Sequence, residues 1–177
     1  MRYALSLVAL CLLPACMGGS DGPSGPTTQL NNDFGTLLNG ARMSSGTGAG
    51  AVEFDIRVAN AAQSHASDMV RDGYFGHDDT IDPLPECDDP CDAGSRLVQE
   101  GYTWKVFYEG IARGNNLTLQ QLLNGWQSGG SADFSVDNDN GASNNINLVD
   151  FEHFGIAKAG PDGNQRWVLL LADPTDP

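Results

Sequence analysis

The sequence predicts an α+β fold. Helical periodicity dominates its first half, β-rich segments close it, and a Gly160-Pro161-Asp162-Gly163 turn joins the last two of these. A parallel α/β sheet would instead alternate strands with helices throughout, and no internal repeat is present.

The elements follow in chain order. Leu30, Phe34, Leu37, Leu38 and Ala41 recur at helical spacing and define a first helix, which Gly46, Gly48 and Gly50 terminate. A second helix follows Asp55, a residue type suited to an N-cap, and puts Val58, Ala62, His65 and Met69 on one face until Gly73. Ala93 to Glu100 is a short helix closed by Gly101-Tyr102, and Trp104 to Ala112 has the aromatic and β-branched character of a strand. Thr118 with Gln121 three positions on is a capping-box pattern, opening a helix that carries Leu119, Leu122, Leu123 and Trp126 up to Gly129-Gly130. Ser128 to Asn145, rich in Gly, Ser, Asn and Asp, predicts a long loop. Phe151 to Ala159 and Gln165 to Ala172 then predict two strands of a hairpin.

Ahead of the fold lies an export signal. Arg2 supplies a positive start, and Ala4 to Leu13 is an apolar run too short to span a bilayer. Leu13-Pro14-Ala15-Cys16 resembles the lipobox of bacterial lipoproteins, which makes Cys16 the expected lipidation site; an ordinary signal peptide cleaved nearby is the alternative. Residues 1–15 are therefore read as a signal peptide, 16–28 as the lipidated Cys and a Gly/Ser/Pro-rich tether, and 29–174 as one folded domain. The expected location is the cell envelope, lipid-anchored and extracytoplasmic.

Charge and cysteine usage limit the partners. The chain has 23 acidic against 9 basic residues, a net charge of −14, which repels phosphate backbones and makes nucleic acid a poor partner. Acidic residues crowd at Asp78-Asp79, Asp82, Glu86, Asp88-Asp89 and Asp92, where a solvated loop is the plain reading and weak cation binding the alternative. With Cys11 in the signal and Cys16 at the anchor, Cys87 and Cys91 remain as an even pair. In an oxidising compartment they are expected to close a small disulfide loop; two free or metal-bound thiols are the alternative. Asp137 and Asp139 in Asp137-Asn138-Asp139-Asn140-Gly141 are weak calcium candidates, since the third acidic ligand and the closing Glu of a calcium loop are missing. Asn116-Leu117-Thr118 matches a glycosylation sequon, but Thr118 is better used as a helix cap.

A set of landmarks in fixed order resembles the CAP superfamily, which includes cysteine-rich secretory proteins, antigen 5 and pathogenesis-related 1 proteins, and in particular its single-domain bacterial members. They are Leu37-Leu38-Asn39-Gly40-Ala41-Arg42, Ala61 to Met69, Tyr74-Phe75-Gly76-His77, Gly101 to Trp104, Glu109 to Gly114, Trp126, Asn145-Ile146, Phe151 to Ala157 and the Trp167 strand. The resemblance implies an α-β-α sandwich with a small, mainly antiparallel sheet between helices. It also implies a cleft that in many members holds two His and two Glu and binds a divalent cation.

Carried over by position, the first cleft His is His77 and the first Glu is Glu109. The second His would stand thirteen residues before Gly155, where Ala142 is found, and no carboxylate follows Trp126 directly. One imidazole and one carboxylate fall short of the three protein ligands zinc needs, so zinc is not expected and calcium only weakly so. His153 is a further candidate for the cleft. Glu109 and His77 also suit a structural pair, and His65, on an apolar helix face, is expected to be a satisfied core histidine outside the site. No nucleophile paired with a base is identifiable.

The sequence therefore favours a non-enzymatic, membrane-anchored binding or interaction module over a hydrolase working through His77 and Glu109, and over a calcium-responsive surface protein. Its expected partners are the membrane, through the N-terminal lipid, and a small apolar ligand or a surface protein, with the chain acting as a monomer.

Overall fold

A computed structural model describes residues 27–77, 91–128, 135–139 and 151–175. The chain forms α1 (Thr28–Ser44), β1 (Glu53–Phe54), α2 (Ile56–Arg71), α3 (Ala93–Gln99), β2 (Trp104–Arg113), α4 (Leu119–Ser128), β3 (Ser135–Asp139), β4 (His153–Ala159) and β5 (Arg166–Pro174). The strands make one sheet in the order β1-β4-β5-β2-β3, parallel between β1 and β4 and antiparallel elsewhere.

Local signals set most boundaries. Thr27 caps α1 by accepting from the Leu30 amide, so the helix takes in the last residue of the expected tether. The Asp55 carboxylate accepts from the Arg57 amide at 2.8 Å and starts α2, and Gly73, at φ +73°, turns the chain after it. The capping box forms reciprocally: the Gln121 amide donates to the Thr118 hydroxyl at 3.2 Å, and the Thr118 amide to the Gln121 side-chain oxygen at 2.9 Å.

Two layers of helix cover the sheet. Along β5, Trp167, Leu169 and Leu171 face one way and pack with Phe34, Leu38 and Trp126 of α1 and α4. Val168, Leu170 and Ala172 face the other way and pack with Val58, Ala62, Met69 and Leu97 of α2 and α3. This is an α-β-α sandwich.

Close approach depends on missing side chains at two positions. A Cβ on Gly155 would sit 2.3 Å from the Ala59 backbone nitrogen, so α2 rests directly on β4. A Cβ on Gly110 would meet the Trp126 indole at 2.7 Å, and that indole N–H donates to the Ile111 carbonyl at 3.2 Å. Buried Asn31 ties α1 to the sheet by exchanging two hydrogen bonds with the Ile156 backbone.

Two strands are absent from the sequence-based expectation. β1 is two residues long, and β3 occupies part of the 128–145 stretch read as loop. Its polar composition gives no strand signal, and pairing with β2 along five rungs overrides that local preference.

Candidate functional site

The site is built on the face of β2 that looks towards α2 and α3. Phe107, Glu109 and Ile111 alternate onto that face, which places a carboxylate among apolar neighbours with no exposure to solvent. His65 comes from the buried face of α2, and His77 from the turn that follows the helix.

They meet at one carboxylate. His65 Nδ1 lies 2.8 Å from Glu109 Oε1, and His77 Nδ1 lies 2.7 Å from Glu109 Oε2. His65 Nε2 is 2.9 Å from the Gly76 carbonyl, so the same histidine also pins the turn that carries His77. Arg96 of α3 supports that turn by donating to the His77 carbonyl at 3.3 Å, and the Tyr74 ring stacks on His65 with centroids 6.1 Å apart.

Electrostatics favour the ionised carboxylate. Burial alone would push the Glu109 pKa up, but the charge and hydrogen bond of His65, joined by those of His77, hold it down to about 2. An ionised carboxylate and a backbone carbonyl only accept hydrogen bonds, so satisfying both contacts of His65 requires a proton on each of its ring nitrogens. The centre is therefore an internal ion pair with a second imidazole attached to it.

The two expected cleft residues, His77 and Glu109, are brought together. His65 is a satisfied core histidine as expected, yet its partner is Glu109, which corrects its exclusion from the site. The available signal was an imidazole on an otherwise alanine-rich buried face, a group that must find a polar partner.

His153 does not join them. In the sheet, the rung of Glu109 runs through Leu170 to Gly155, whereas His153 pairs with Ala172. That puts His153 two strands across and two residues along from Glu109, roughly 12 Å away by strand geometry. Its Nδ1 instead meets the Tyr102 hydroxyl at 2.9 Å.

The remaining candidates lie elsewhere. Asp137 and Asp139 belong to β3, opposite Ile111 and Glu109, and not to a loop. Cys91 is fully buried just ahead of α3. Cys16, Cys87, Ala142 and the acidic residues from Asp78 to Asp89 lie outside the described residues. Among the described residues no helix is long and apolar enough to cross a membrane.

The cation implied by the resemblance does not fit this donor set. Both oxygens of Glu109 accept from imidazoles, both nitrogens of His65 are engaged, and Glu109 is fully buried. His77 alone falls short of the three protein ligands zinc requires, and among the described residues no group of three or more His, Cys, Asp or Glu is arranged to hold a metal.

The family model for the cysteine-rich secretory protein family, CAP, matches residues 36–171. Among solved structures, an outer surface protein from Borrelia burgdorferi is similar, with a TM-score of 0.61 at 13% identity, over 84% of this chain and 96% of that one. No curated protein sequence matches. At that identity the structural likeness speaks for the fold, and it is the same sandwich. With the family model spanning most of the sequence, the chain belongs to the CAP, or cysteine-rich secretory protein, family.

Proposed function

We propose that this chain is an exported, lipid-anchored CAP-domain protein that acts as a non-enzymatic binding or interaction module at the cell surface. The observation that carries the reading is the state of Glu109: fully buried, with each oxygen accepting from a different imidazole. A carboxylate so placed holds the cleft together and has no oxygen directed at a ligand. Export rests on the signal sequence, the Cys16 lipobox and the Gly/Pro tether, together with the Cys87–Cys91 pair expected to close in an oxidising compartment. A surface location is further supported by the shared fold with a protein described as an outer surface protein.

A hydrolase is the second reading, favoured by one contact. Glu109 on His77 Nδ1 is the way a carboxylate orients a general base. Activity screens on peptidoglycan fragments, esters and peptides, comparing wild type with His77→Gln, separate the two. Equal background in both proteins is expected; turnover lost in the variant would overturn the binding reading. Palmitate labelling in the source cell, expected for wild type and absent from Cys16→Ala, tests the anchor; labelling of the variant would refute it.

A further inference from the structure

Among the described residues two arginines are fully buried, Arg42 and Arg96, and the fold satisfies them differently. Arg42 donates from Nε to the Gly50 carbonyl at 2.9 Å and from Nη2 to the Phe151 carbonyl at 3.5 Å. The same two nitrogens of Arg96 have no hydrogen-bond partner, although the residue is only 1% exposed. Its guanidinium donates from Nη1 alone, to the His77 carbonyl at 3.3 Å.

Charge sharpens the contrast. An arginine keeps its proton when buried, so it cannot shed its charge as a buried lysine or histidine does. Arg96 makes no ion pair among the described residues. The carboxylate of the adjoining centre, Glu109, already has one oxygen on His65 and the other on His77. A buried cation left uncompensated is strongly unfavourable, and a buried donor left unmet adds to the cost. A water molecule would meet the N–H groups but leave the charge in place. Nε–H and one N–H of Nη2 run parallel along one edge of the guanidinium, the edge that grips an anion with two charge-assisted bonds.

We propose that this edge of Arg96 holds a small monovalent anion of the chloride class, beside the turn that carries His77. The site stands whether or not the His65–Glu109–His77 centre is catalytic, because Arg96 reaches that centre only through a backbone carbonyl.

Thermal unfolding of the purified protein is followed in sodium chloride and, at matched ionic strength, in sodium gluconate, whose anion is too large for a buried site. Chloride at a tenfold excess over its Kd is expected to raise Tm by about 3–6 °C over the gluconate value, with saturable dose dependence. That rise should vanish in Arg96→Met, which keeps an unbranched side chain and removes both charge and fork. Should this variant fail to fold, Arg96→Lys keeps the charge, removes the fork and is expected to weaken chloride binding about tenfold. Bromide, an anomalous scatterer of the same class, should give a peak within hydrogen-bonding reach of Nε and Nη2 in wild-type crystals. Equal Tm in the two salts, a chloride rise retained in Arg96→Met, unchanged affinity in Arg96→Lys or no bromide at Arg96 would each overturn the proposal. A bromide peak without a chloride-dependent Tm would mark an adventitious ion only and overturn it as well.

Discussion

Replacing Glu109 by Gln keeps the shape of the side chain and removes the charge on which His65 and His77 converge. In wild type, the carboxyl is held at about 2 against an ordinary 4.5. At roughly 1.4 kcal/mol for each tenfold change in proton affinity, this corresponds to about 3 kcal/mol of stability at neutral pH. The same order follows from breaking a buried ion pair, which costs roughly 3–5 kcal/mol because the partner charge is left uncompensated. A carboxyl whose pKa is lowered by folding contributes fully above its unfolded value of 4.5, and the contribution fades as pH falls from there towards about 2. Urea unfolding of wild type and Glu109→Gln between pH 7 and pH 2 tests both statements. The variant should be less stable by about 3 kcal/mol at pH 7, a Tm loss of about 6–12 °C, and the gap should close towards pH 2. A difference under about 0.5 kcal/mol at pH 7, or one that stays constant with pH, would refute the ion-pair account.

Three further outcomes follow from the packing and the polar contacts. Gly155→Ala puts a Cβ 2.3 Å from the Ala59 backbone nitrogen; pushing α2 off β4 should cost about 3 kcal/mol in chemical denaturation, and a neutral result would contradict the close contact. Tyr102→Phe removes the hydroxyl that meets His153 at 2.9 Å; a loss of about 1 kcal/mol is expected, with the His65–Glu109–His77 centre untouched, as its histidine NMR signals would report. Millimolar calcium should leave Tm unchanged, since Asp137 and Asp139 lie on β3 in the sheet; a rise with saturable dose dependence would restore the calcium reading.

What was legible in the sequence divides along local and long-range lines. α2 and α4 could be read because their caps, Asp55 and the Thr118/Gln121 box, are local chemistry that does not depend on the rest of the fold. β3 could not be read, because a polar edge strand is defined by its partner β2 and not by its own composition. The His77–Glu109 contact was accessible through the landmark order, which bridges 32 residues. The His65–Glu109 contact, 44 residues apart, was not, since the apolar helix face around His65 points to the core without naming the carboxylate. His153 shares a sheet face with Glu109, but its distance from the centre follows from the strand order β4-β5-β2, which no local pattern encodes.

Glu109 is committed to an internal ion pair, fully buried with each oxygen accepting from a different imidazole, so the site built on it is not expected to take up zinc. Dialysis of the purified protein against excess zinc, followed by elemental analysis of wild type and His77→Gln, checks this. Far less than one zinc per chain is expected in wild type, with no difference between the two proteins. About one zinc per chain in wild type, lost in His77→Gln, would contradict it.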